Sequence, residues 1–135
     1  MNAKLSWIPP MDARWVVRTA FFFLFIAALS VTAYLGRLPA WTQAFPHFDW
    51  AAHFILLGGL GFCFHRLMRD RAVGFYGLTF PLGPMIVSSW SILDESLQLF
   101  SPNRSFSFAD MAANLIGIWL FYVIYHYGIK RKAMA

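Results

Sequence analysis

Charge is what this chain has least of. Asp, Glu, Lys and Arg supply 13% of its 135 residues, where soluble domains carry roughly 25%. That scarcity excludes an ordinary water-soluble domain. Cysteine is nearly absent as well. The single Cys63 lies inside an apolar run, which excludes an intramolecular disulfide and reads as a small buried apolar residue. There is no low-complexity segment and no internal repeat. A P-loop, a glycine-rich phosphate cradle and a soluble coenzyme motif are also missing.

What is present is apolar surface. Hydrophobic residues make up 59% and aromatics 19%, and mean hydropathy is +0.56. An integral membrane protein is expected, and the length allows one domain. Residues 1–14, with Lys4, Pro9, Pro10 and Arg14, read as an interfacial lead-in where Trp7 and Ile8 rest on headgroups. Trp15 to Leu35 is a first span of roughly 30 Å. It is too long for a signal-peptide core, and Tyr34-Leu35-Gly36-Arg37 is a poor cleavage site, so a retained helix is expected. A loop with interfacial aromatics, including Trp41 and Phe45, leads to a second span from Phe48 to about Met68. Gly58, Gly59 and Gly61 there invite close helix approach. A basic loop, 66–72, precedes a third span, Gly74 to Phe100. Pro81 and Pro84 predict a kink or break in it. The fourth span is Phe108 to Tyr127, with a small-residue stripe at Ala109, Ala113 and Gly117. Residues 15–128 thus form one all-α, four-transmembrane-helix bundle, followed by a basic tail at 129–135.

Charge placement sets the orientation. One side receives Lys4, Arg14, Arg18, Arg66, Arg69, Arg71, Lys130, Arg131 and Lys132; the other receives only Arg37 and Arg104. The positive-inside rule puts both termini in the cytoplasm. The pI near 9.8 is then explained by orientation and anionic lipid, with no patch left for nucleic acid. The outer side is acidic, with Asp49, Asp94, Glu95 and Asp110.

The outer end also gathers polar groups from three spans. Asp49 and His53 are four apart, neighbours on one helix face. Asp49 serves either as an N-cap or as the partner that orients the imidazole. Ser88, Ser91, Glu95 and Gln98 share a face of the third span. Asp94 lies beside it, at the solvated interface. Arg104, in the turn Ser101 to Ser105, either meets headgroups or clamps an anionic group. Ser107 and Asp110 have capping-box spacing. Asn114 lies one turn deeper, placed for an interhelical hydrogen bond or for a ligand. Ionisable groups inside a membrane are costly and mark function.

Three stretches carry a family resemblance. They are Asp49-Trp50-Ala51-Ala52-His53; Glu95 to Arg104, reading Glu-x-x-Gln-x-Phe-x-Pro-x-Arg; and Ser107 followed by Asp110-x-x-Ala-Asn114-x-x-Gly117. The chain resembles the VanZ-like family of bacterial membrane proteins over residues 48 to 120. Trp50 departs from the lysine usual in that family. The resemblance implies a small multi-pass protein of the bacterial inner membrane. The family's founding member is associated with resistance to teicoplanin, and no agreed mechanism comes with it.

Three functions are compatible with this reading. A binding or accessory protein would recognise a lipid, an envelope precursor or a glycopeptide-type antibiotic. An enzyme would use His53, Asp49, Glu95 and Asp110 as acid–base groups, with Arg104, Gln98, Asn114 and Ser107 holding substrate. A divalent cation could join the four, Mg, Ca or Mn rather than zinc, because only one histidine is offered. A small transporter is the third reading. The sequence fixes neither the ligand nor the oligomeric state.

Overall fold

The computed structural model describes residues 12–44 and 47–130. The lead-in with Trp7 and Ile8, loop residue Phe45 and most of the basic tail lie outside these residues. The chain is mostly helical. Helix α1 runs Ala13–Tyr34, the single turn α2 Trp41–Ala44, α3 Phe48–Leu67, α4 Leu82–Leu97 and α5 Phe108–Val123. A 3-10 turn, Gln98–Phe100, extends α4, and a π-helical turn, Ile124–Lys130, extends α5. Among the described residues two helices are long and apolar enough to cross a membrane, Ala13–Tyr34 and Phe108–Ile129.

The central element is α3, which packs against α1, α4 and α5. Its glycines make this possible. Gly59 receives the ring of Phe22 from α1, Gly61 receives Ile118 from α5, and Gly58 lies against the backbone of Gly117. Gly117 in turn rests on the Phe54 backbone, where any side chain would collide with the carbonyl. The α3–α5 contact is therefore a small-residue crossing of the kind membrane helices use. Leu57, Leu60, Val87 and Ile118 form the buried core. Outside it the surface is apolar. Val17, Phe21, Leu24, Ile55 and Ile116 are all exposed, more hydrophobic surface than a soluble monomer leaves bare.

The expected third span is corrected at its start. No helix runs from Gly74. Ala72–Phe75 and Leu78–Pro81 form an antiparallel hairpin, β1 and β2, pairing Val73 with Phe80 and Phe75 with Leu78. Its two-residue turn is Tyr76-Gly77, both at positive φ (48° and 76°), the conformation that matches strand twist and that glycine favours. β-branched and aromatic residues either side supply strand propensity. The two prolines neither kink nor break α4. Pro81 is its N-cap and Pro84 its third residue, where backbone N–H groups have no intrahelical partner to lose. Gly83 beside them lets α4 touch the α3 backbone at His65.

At this same end a second polar cluster forms, of which the sequence reading registered only the basic residues. The Arg66 guanidinium donates to Asp70 Oδ2 at 2.7 Å and to the Tyr125 hydroxyl, which itself donates to Asp70 at 2.9 Å. The guanidinium also lies over the rings of Trp15 and Tyr125. Buried His65 sits 3.7 Å from Asp70. This network joins α1, α3 and α5 at the end opposite the acidic residues.

Candidate functional site

The starts of α3 and α5 and the ends of α1 and α4 meet at the other end of the bundle. Asp49 is not the N-cap of α3, because His47 holds that position in a left-handed conformation (φ 61°). The Asp49 carboxylate instead sits in the first turn, favourable to the helix dipole, and faces His53 at 3.7 Å. From α5, Asn114 meets His53 Nδ1 at 2.9 Å. This is the interhelical hydrogen bond that the spacing suggested, and it depends on the close α3–α5 approach one turn deeper.

Ser107 caps α5: its Oγ accepts the Asp110 backbone N–H at 3.2 Å. In a complete capping box the third-position side chain would reach back to the Ser107 N–H. Here Glu95 of α4 takes that place, its Oε1 accepting the Ser107 N–H at 2.8 Å. The Asp110 carboxylate is thereby released from capping. It is buried, and its Oδ1 has no hydrogen-bond partner. Asp49, His53 and Asp110 each offer a donor atom within 4.8 Å of the other two.

Glu95 itself is 1% exposed. Its second oxygen accepts from Gln98 Nε2 at 3.2 Å, and Gln98 Oε1 accepts from Arg104 Nε at 3.2 Å. Glu95 and Gln98 therefore fasten the α4–α5 turn and aim Arg104. Among the described residues no carboxylate pairs with Arg104. Asp94, expected at the solvated interface, is half-buried. It receives a long hydrogen bond from Gln98 (3.4 Å), and its carbonyl accepts from the Tyr34 hydroxyl, also at 3.4 Å.

A cavity of about 1230 Å³ opens between α1, α3 and α4. Asp49, His53, Asp94, Arg104 and Asn114 line one end, with Ser91. Ile26, Leu29, Leu56, Leu57 and Leu60 line the rest. Glu95 and Asp110 do not reach its wall. Seven of the eight site residues singled out from the sequence thus fall into two groups, Asp49–His53–Asp110–Asn114 and Glu95–Gln98–Arg104, and the eighth, Ser107, joins them. Tyr34 and Asn103 were missed. The Asn103 amide donates to the Tyr34 carbonyl at 2.9 Å and packs on Gly36, tying the turn to α1. The Pro-Asn-Arg run of that turn was the available signal.

A mostly helical chain with a bare apolar surface, two helices fit to cross a membrane and a polar-ended cavity points to a membrane protein. The family is shown directly. The VanZ/LLP1 model matches residues 14–131, nearly the whole chain and all three motifs, and the chain belongs to this VanZ-like family. No curated protein and no solved structure gives a match.

Proposed function

We propose that this VanZ-like protein is a multi-pass protein of the bacterial inner membrane that binds an anionic amphiphile, a lipid or lipid-linked envelope precursor. One observation carries the reading: the cavity is apolar along the bundle and polar at one end, with Arg104 there and no carboxylate paired to it. Asp49 and Asp94 share that end, so the fit is to a ligand with a hydrocarbon body and a head that turns one acidic group to Arg104. The Arg104 guanidinium, steered by Gln98, offers its remaining N–H groups to a phosphate or carboxylate. A role in resistance to a glycopeptide antibiotic, in keeping with the family, would act through the envelope precursor.

The reading takes four crossings. The 20 residues of α3 extend about 30 Å, and Leu82 to Phe100 nearly as far. With α1 and α5 these make an even number of crossings, and the basic residues collect at the Arg66 end. The site then faces outward and both termini face the cytoplasm.

Binding of a fluorescent anionic lipid to the full chain in nanodiscs tests this. Arg104→Ala removes a charge-assisted bond of about 1.5–3 kcal/mol, so affinity should fall about tenfold or more. Leu56→Trp, which narrows the apolar part of the cavity, should weaken binding further. Unchanged affinity in both variants would sink the reading.

A second reading has its own observation. The His53 imidazole, held by Asn114 and facing two aspartates, is arranged as an acid–base group. Incubation with envelope lipid extracts and mass spectrometry of the products tests turnover, and His53→Gln should then abolish any product.

A further inference from the structure

We propose that Asp49, His53 and Asp110 bind a divalent cation of the manganese class. The site is shared with the proposed amphiphile, but the argument rests on separate observations. With the Asn114 oxygen facing the ring at 2.9 Å, Nδ1 must donate, because an amide oxygen only accepts. In the neutral ring Nε2 then keeps its lone pair, and that lone pair faces Asp49. The separation of 3.7 Å is too long for a hydrogen bond. It is the spacing of two atoms each about 2.1–2.2 Å from one ion, at an angle of about 120°.

Asp110 supplies the independent evidence. Asp110 is buried, 6% exposed, and its Oδ1 has no partner. It also has a carboxylate oxygen within 4.8 Å of the donor atoms of Asp49 and His53; two ligands of one ion at about 2.2 Å stand at most about 4.4 Å apart, so closing on the ion takes a side-chain shift of about half an ångström. A buried carboxylate oxygen without a hydrogen bond is costly, and the capping duty that would occupy the side chain is taken by Glu95. Three electron-pair donors thus converge with no proton donor among them, unless the ring takes a second proton. Two carboxylates and one imidazole suit a cation between the oxygen-preferring and nitrogen-preferring classes. Asn114 plays the outer role usual for a ligating histidine, fixing the ring through its other nitrogen. Glu95, part of the set expected from sequence, is not in this group; its two oxygens accept from Ser107 and Gln98. Three protein ligands leave positions for water or for an anionic oxygen arriving from the adjoining cavity.

The test uses the full chain purified in detergent, stripped with EDTA and titrated with Mn²⁺ under electron paramagnetic resonance, with no lipid added. About one Mn²⁺ per chain is expected, with nitrogen coupling from His53. Asp49→Asn should weaken binding tenfold or more; its side chain is 61% exposed, so the fold is not at risk. Asp110→Asn should weaken it similarly. Asn114→Leu should cost 10–100-fold, the range for outer-shell partners. Binding by the wild type no stronger than by the Asp49→Asn/Asp110→Asn double variant overturns the proposal. So does bound Mn²⁺ without nitrogen coupling. Lipid binding measured in EDTA reads the amphiphile separately, so the two failures are distinguishable.

Discussion

Gly117→Ala should damage the site without touching it. In an exposed helix this change is favourable by up to about 1 kcal/mol. At position 117 the new methyl would lie 2.9 and 3.0 Å from the carbonyl carbon and Cα of Phe54, and nearer still to the carbonyl oxygen. Those atoms are backbone and cannot rotate away. Ordinary contact lies at 3.4–4 Å, so α3 and α5 must separate by roughly 1 Å. Overpacking of this kind costs about 1–3 kcal/mol. The same movement would stretch the 2.9 Å bond between His53 and Asn114 beyond hydrogen-bond reach and forfeit about 1 kcal/mol more. Net destabilisation of about 1–3 kcal/mol is expected. The assay is equilibrium unfolding in mixed micelles, read beside the ¹⁵N shifts of the His53 ring. Gly128→Ala, where an added methyl meets nothing within 4 Å, is the control and should be neutral or slightly stabilising. A Gly117→Ala protein as stable as that control, with an unchanged His53 signal, would refute the close crossing and the coupling together.

Glu95→Ala leaves the Ser107 N–H and the Gln98 amide without their buried acceptor; a loss of about 1.5–3 kcal/mol is expected in the same unfolding assay, and Glu95→Gln should recover part of it. Arg66→Ala should loosen the opposite end, seen as faster hydrogen exchange at the ends of α3 and α5, with lipid binding little changed. Asp12 accepts hydrogen bonds from the side chain and backbone of Arg14 at the start of α1, which hold its carboxyl below the usual value. Its capping is therefore complete above the ordinary aspartate range and lost as pH falls through the lowered value; exchange of the first α1 amides should rise there in the wild type and be independent of pH in Asp12→Asn. For orientation, Ser105→Cys should react with an impermeant thiol reagent in intact spheroplasts and Arg69→Cys should not.

Helix spans were legible because apolar runs and glycine steps are long-range signals; α1, α3 and α5 start within two residues of expectation. The start of α4 was not. Hydropathy cannot separate an apolar hairpin from an apolar helix, and the deciding feature is the positive φ of Tyr76-Gly77. The convergence of Asp49, His53, Asp110 and Asn114 followed from helix spacing. The separate use of Glu95 did not, because a side chain completing a neighbouring helix's cap leaves no local pattern. The Arg66–Asp70–Tyr125 network was invisible for the same reason: its members are 55 and 59 residues apart in two of three bonds.

Helix α1 leans chiefly on α3, through Trp15 on Phe62 and Phe22 on Gly59. Toward α4 and its following turn, the described hydrogen bonds to α1 are those at Tyr34, at the outer end. Below that stitch the wall that α1 gives the cavity is mostly hydrocarbon, Phe23, Ile26, Ala27 and Leu29 beside Ser30. On the proposed placement, a guest dissolved in the bilayer would meet mostly apolar side chains there, and so would arrive by sliding in from the side, tail and head together.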